Sequence, residues 1–285
     1  MTSMNTETVI SAERRHRHRP EDGGKTDLGV LLPVGKVQWG DRDPRELIDF
    51  AARAEDLGYS SLWANDFLLT PRIEALTMLA AAAPVTRNVT LGTAALLPVL
   101  RRPVQAAQTL ASIDLLSGGR LVLAVGAAFP GRFGVPQHVL SEVPWERRFT
   151  RLDETVALWR QLWTRPDLTS FHGELLHFDE LPQMTAPARA GGPPVWLGGA
   201  TPAALRRTGR LYDGWMPYPP EPASYRDGLA AVRQAAADAG RDAGAIAPAL
   251  FVSVAVTDSV SAGRELLAEF SQASYGLPLD QLEII

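Results

Sequence analysis

The sequence of 285 residues contains no cysteine. That excludes a disulfide scaffold, a thiolate metal site and a cysteine nucleophile, and it sets the expectation of a cytoplasmic protein. Lysine is nearly missing as well, with only Lys25 and Lys36 in the chain. An aldolase-type barrel enzyme, which needs an inward lysine for a Schiff base, is therefore close to excluded. The five histidines form no HExxH helix: His16 and His18 lie in a polar N-terminal stretch, and His138, His172 and His177 lie mid-chain. No metal site is expected. A GxSxG elbow is absent, so Ser-His-Asp hydrolysis has no support. No apolar run reaches the roughly 18 residues of a membrane span. A net charge of −4 provides no basic field, so neither nucleic acid nor membrane is an expected partner.

What is present is ordinary globular composition, 46% hydrophobic and 21% charged. Residues 1–26 read as a disordered polar tail, with Arg14, Arg15, His16, Arg17, His18 and Arg19 in one run. No apolar segment follows these arginines as a secretory signal would require. From residue 27 to 285 the chain reads as one domain in which short apolar runs alternate with helical periodicity. Expected strands are 28–34, 60–64, 89–97, 120–126, 195–199, 214–218 and 250–257. Expected helices are 44–58, 73–83, 103–116, 202–211, 222–239 and 261–272, together with one carrying Leu152, Val156, Trp159 and Trp163 on one face. Residues 127–147 read as irregular, and 169–178 as a small hairpin turning at Gly173.

Seven apolar strand–helix units imply a parallel sheet covered by helices. They fit a TIM-type (β/α)8 barrel with an insertion after the fourth strand, better than a doubly wound sheet. The eighth unit is not in the sequence, which sets the expectation of a C-terminal truncation. On that view Leu28, Val30 and Leu32 at one edge, and Val252, Val254 and Val256 at the other, would be unpaired.

Several segments, in order, resemble the bacterial luciferase-like monooxygenase superfamily of flavin- and deazaflavin-dependent oxidoreductases. They are LGVLLPV at 28–34, SLWANDF at 61–67, LGTAALLPVLRRPV at 91–104 and DLLSGGRLVLAVGAAFPG at 114–131. RLDETVALWRQLW at 151–163 and PPVWLGGATPAALRRTGRLYDGW at 193–215 follow, then AAADAGRD at 235–242. The resemblance implies a β-bulge on the third strand, with a non-prolyl cis bond at Ala94–Ala95 against which the cofactor ring leans. Thr93, Ala94 and Ala95 would line that bulge, and Gly126 and Ala127 would follow on the next strand. The small side chains also have a plainer reading, the relief of crowding inside a barrel.

Gly198, Gly199, Ala200 and Thr201 end a strand and enter a helix with Pro202 in its first turn. Free N–H groups and the helix dipole attract a phosphate there, and the resemblance implies the cofactor phosphate. Tight connections use glycines anyway, so the pattern alone is weak. Asn65 and Asp66 follow the second strand at the face where barrel enzymes keep catalytic groups, and both are candidate catalytic residues. Asp66 could serve a substrate or cap a turn. Family members often place histidine where this chain has Phe67, and its sugar-phosphate dehydrogenases place glutamate near Phe129. With Trp39, Trp63, Phe67, Phe129 and Trp215 expected at the mouth, an apolar or aromatic substrate is expected.

The expected function is a flavin- or deazaflavin-dependent oxidoreductase or monooxygenase. Its cofactor would be FMN or coenzyme F420, its partner a small organic substrate, with O2 or a reductase and NAD(P)H for electrons, and the protein is expected to be a homodimer. The alternative is a non-catalytic cofactor-binding member of the same family.

Overall fold

The computed structural model describes residues 26–129, 133–218, 221–276 and 278–279. All but the last residue of the expected N-terminal tail lies outside this range. Seven parallel strands form one curled sheet. They are β1 (Gly29–Leu31), β2 (Ser61–Ala64), β3 (Thr90–Leu96), β4 (Leu121–Val125), β7 (Val195–Leu197), β8 (Gly214–Trp215) and β9 (Ala247–Pro248), ordered β1-β2-β3-β4-β7-β8-β9. The hairpin expected at 169–178 is the antiparallel pair β5 (Phe171–His172) and β6 (His177–Phe178).

Helices cover the outer face. They are α1 (Lys36–Trp39), α2 (Glu46–Asp56), α3 (Ala75–Ala82), α4 (Pro103–Ser117), α5 (Gly134–Leu140), α6 (Arg148–Thr164), α7 (Pro202–Leu211), α8 (Pro222–Asp238) and α9 (Val260–Tyr275). The α5 helix corrects the reading of 127–147 as wholly irregular. It is two turns long and wedged against its neighbours, with Gln137 and His138 buried, so tertiary packing supplies what periodicity did not signal.

Strand alternation sets the two faces. On β2, Leu62 and Ala64 are wholly buried under helices, whereas Ser61 and Trp63 point to the partly open inner face. The large core lies between β1–β4, β7 and α2, α3, α4 and α6, and a smaller cluster around Trp215, Val232, Ala236 and Ile246 lies under α8.

The end of the sheet differs from expectation. The last strand is Ala247–Pro248, not 250–257. Residues 250–257 form no described strand pairing, and Val252, Val254 and Val256 are exposed. A strand exists only where a neighbour completes its ladder, and β9 pairs with β8 alone. At the other edge Leu28 is exposed, but Leu32 is wholly buried and Val30 packs on the core. β1 is an edge strand paired with β2 alone, so the expectation fails only in the exposure of those two side chains, which the core covers.

Candidate active site

The strands' C-terminal ends gather the residues singled out above. The register between β3 and β4 slips between Thr93 and Leu96, and the Ala94–Ala95 peptide is cis. Thr93 is wholly buried and its hydroxyl donates to Ala124 O at 2.8 Å, which anchors the bulge to β4. Ala94 and Ala95 are half-buried and face the opening. Gly126 is tied by its N–H to Leu96 O at 2.9 Å, while Ala127 turns into the core. Below this ring of small residues Trp63 and Trp196 lie 5.5 Å apart. Gly92 is required there: a Cβ on it would lie 2.2 Å from the Trp63 ring.

Two strands along the same rim, β7 runs into Gly198–Thr201. Gly199 has φ +90°, a conformation that favours glycine. Its carbonyl accepts the Trp215 indole N–H at 2.9 Å. Because C=O and N–H point oppositely across a trans peptide, that bond aims the Ala200 N–H away from the indole. Thr201 caps α7 by accepting the Ala204 N–H at 3.2 Å. Trp215 itself is wholly buried and stacks on Tyr225 at 5.1 Å. It therefore does not line the mouth, and its expected place there is corrected: strand alternation turns it toward α8.

Asp66 is committed within the protein. Its carboxylate accepts Leu97 N–H at 2.9 Å and two Arg101 nitrogens at 2.5 and 3.0 Å. Arg101 also reaches Glu74 at 2.7 Å, and Glu74 caps α3 through Thr77. Burial would lower the Arg101 guanidinium pKa, but Asp66 and Glu74 outweigh it and hold it above its ordinary value. Burial likewise pushes the Glu74 carboxyl up, yet the Thr77 N–H, Arg101 and the Thr77 hydroxyl bring it below the usual carboxylate range. This clamp fixes the chain leaving the bulge, and Asn65 is engaged by Arg72 at 3.0 Å. Both candidate catalytic side chains thus act first on the scaffold. Arg101 and Glu74 were missed by sequence reasoning. Their one signal was a charged pair, Arg101 and Arg102, between an apolar strand and Pro103.

Of the aromatics expected at the mouth, Phe67 packs edge-on against Phe133 at 5.7 Å, and the Arg72 guanidinium covers it at 5.0 Å. An open cleft of about 410 Å³ is lined by residues 66–72 and Glu74. Phe129 is substantially exposed. Trp39 is bound back to Val34 O at 3.3 Å. Among the described residues no group of three or more histidine or acidic side chains is placed to hold a metal.

A sequence profile of the family described as luciferase-like monooxygenase matches residues 16–281. The chain is 34% identical over 197 residues to an F420-dependent glucose-6-phosphate dehydrogenase of Amycolatopsis mediterranei (strain U-32), covering 65% of this chain and 57% of that protein. It thus spans less than two thirds of that relative's length. Its fold is similar to an F420-dependent secondary alcohol dehydrogenase solved with an F420–acetone adduct (TM-score 0.76, 22% identity, 92% of this chain and 81% of the other). It also resembles the oxygenating constituent of 3,6-diketocamphane monooxygenase from Pseudomonas putida, solved with FMN (TM-score 0.70, 16% identity, 90% and 77%).

Proposed function

Because the chain belongs to the luciferase-like monooxygenase family, we propose that it is a flavin- or deazaflavin-dependent oxidoreductase acting on a small apolar or aromatic organic substrate. The supporting observation is one of placement. The open Ala94–Ala95 bulge ends β3 and the Gly199 turn ends β7, with only β4 between them. Two strand spacings come to about 10 Å, a gap that a ribityl chain can bridge. A ring against the alanines and a phosphate at the α7 N-terminus would then belong to one ligand. Bound there, FMN or F420 supplies hydride transfer or, for the flavin, activation of O2. The chain's part is to seat the ring with small side chains, hold the bulge rigid through Asp66 and Arg101, and shield the site with Phe67 and Phe133. The F420-dependent relative favours the deazaflavin, and the FMN-bound structural neighbour keeps the flavin open. A homodimer, with NAD(P)H, a reductase or O2 as electron partner, completes the reading.

A second reading, a cofactor-binding protein without turnover, draws on Asp66 and Asn65 both being engaged by arginines. Titrating the purified protein with F420 and with FMN, followed by absorption and fluorescence, tests the first reading. Adding candidate alcohols, aldehydes and ketones then separates the two: tight binding with no redox change favours the second. Thr201→Asp keeps a good helix cap while placing negative charge at the phosphate position. Affinity should fall about 100-fold, from a like-charge penalty of roughly a few kcal/mol. Undiminished affinity would put the anchor elsewhere.

A further inference from the structure

The first turn of α6 carries two arginines, Arg148 and Arg151, with no acidic partner among the described residues. The Nε atoms of both are closed off from solvent and make no hydrogen bond. Three of the nearby carboxylates are already taken. Asp153 accepts from Arg207 and from the Tyr212 hydroxyl, each at 2.8 Å. Glu154 binds the N–H groups of residues 174–176, and Glu174 pairs with Arg147. Burial lowers the Arg148 pKa from its ordinary value, and no counter-charge among the described residues pushes it back up.

Position gives that charge a use. The Arg148 guanidinium stacks 3.8 Å from the Trp145 ring centroid and 4.6 Å from that of Phe149. Trp145 packs edge-on against His138 of α5 at 5.0 Å, and Phe133, just before α5, faces Phe67 at the mouth. On the other side, the Phe149 ring lies 5.0 Å from the Arg207 guanidinium on α7. Arg148 therefore sits between the aromatic rim and the first turns of α7. Stacked rings fix the plane of a guanidinium and leave its edge free for a two-pronged bond to an oxyanion.

We propose that Arg148, supported by Arg151 one turn on, recognises an anionic group, phosphate or carboxylate, on a ligand bound at the mouth. The anion has two chemical sources: the phosphate-bearing side chain of the cofactor or an acidic substrate. The inference rests on the function proposed above only for the identity of that ligand.

The test uses inorganic phosphate as the probe. The thermal transition of the purified protein, without added cofactor, is measured over a phosphate titration at constant ionic strength, for wild type, Arg148→Met and Arg148→Lys. Phosphate should stabilise the wild type, with apparent affinity at least fivefold weaker in Arg148→Met and intermediate in Arg148→Lys. Identical phosphate responses in all three would overturn the proposal. If Arg148→Met does not fold, Arg148→Lys, which keeps the charge but not the planar fork, carries the comparison. Repeating the titration with saturating F420 or FMN separates the sources. Loss of the Arg148-dependent response assigns the site to the cofactor's anion, and its persistence assigns it to a substrate. A protein that binds neither cofactor yet keeps the Arg148-dependent response would defeat the proposed function and leave this inference standing.

Discussion

Trp159 and Trp215 are both wholly buried, and each gives its indole N–H to a backbone carbonyl, but they sit in regions built differently. Trp159 lies in the large core, beside Trp163 at 5.9 Å, and binds Pro103 O at the start of α4. It joins one helix to another behind long strands that are paired on both sides. Trp215 lies in the small cluster behind two-residue strands, and its partner is Gly199 O in the glycine turn. The lesson is that the same buried residue ties helix to helix where the surroundings are deep and holds a turn at the rim where they are shallow.

The sharpest break in this comparison is Trp159→Ala. Emptying that position should cost about 3–5 kcal/mol, a large share of a typical net stability of about 5–15 kcal/mol. A urea titration reads it as a lowered midpoint. A smaller loss would mean that the large core collapses around the gap. Next comes a paired test with Phe, which keeps most of the ring and removes only the N–H. Trp159→Phe and Trp215→Phe should each lose about 1 kcal/mol for the missing hydrogen bond. Only Trp215→Phe should weaken cofactor binding, by roughly tenfold, because only it releases the Gly199 peptide. Equal affinities in the two variants would erase the proposed division of labour. The smallest effect belongs to the segment beyond β9. Val256 is 95% exposed, so Val256→Thr should stay within about 0.5 kcal/mol of wild type. A larger loss would show that residues 250–257 are packed in solution.

Legibility in the sequence followed the same division. Helix α7 was read to the residue, from Pro202 to Leu211, because proline at the first turn and amphipathic spacing are local signals. Strands β2 to β4 were located within a residue or two, since their apolar runs are bounded by turns. The segment 250–257 has an equally good alternating pattern and is not a strand. Its pattern was read correctly, but pairing is a property of two segments. Within 250–257 the one backbone bond to the neighbouring segment among the described residues is a long one, from Phe251 N–H to Pro217 O at 3.5 Å, and no ladder continues. The bulge residues were reached only through family resemblance, and so was the cis bond at Ala94–Ala95. Asp66 was legible as a polar residue at a strand end. Its bond to Arg101, 35 residues away, was not, because nothing local encodes which distant cation a carboxylate meets.

By itself, the sequence determined the class of the chain. Alternating strand and helix periods dictate a helix-covered parallel sheet, and the lack of cysteine and near lack of lysine rule out whole chemistries before any coordinates exist. Tertiary structure alone decided which of the candidate positions stay accessible at the rim and which are buried in the scaffold. Thr93, Ala127 and Trp215 are buried, Ala94, Ala95 and Gly199 stayed at the opening, and Arg148 was left without a counter-charge among the described residues. The physical reason is that burial and ion pairing depend on neighbours brought together by folding, while propensity and periodicity depend only on neighbours along the chain.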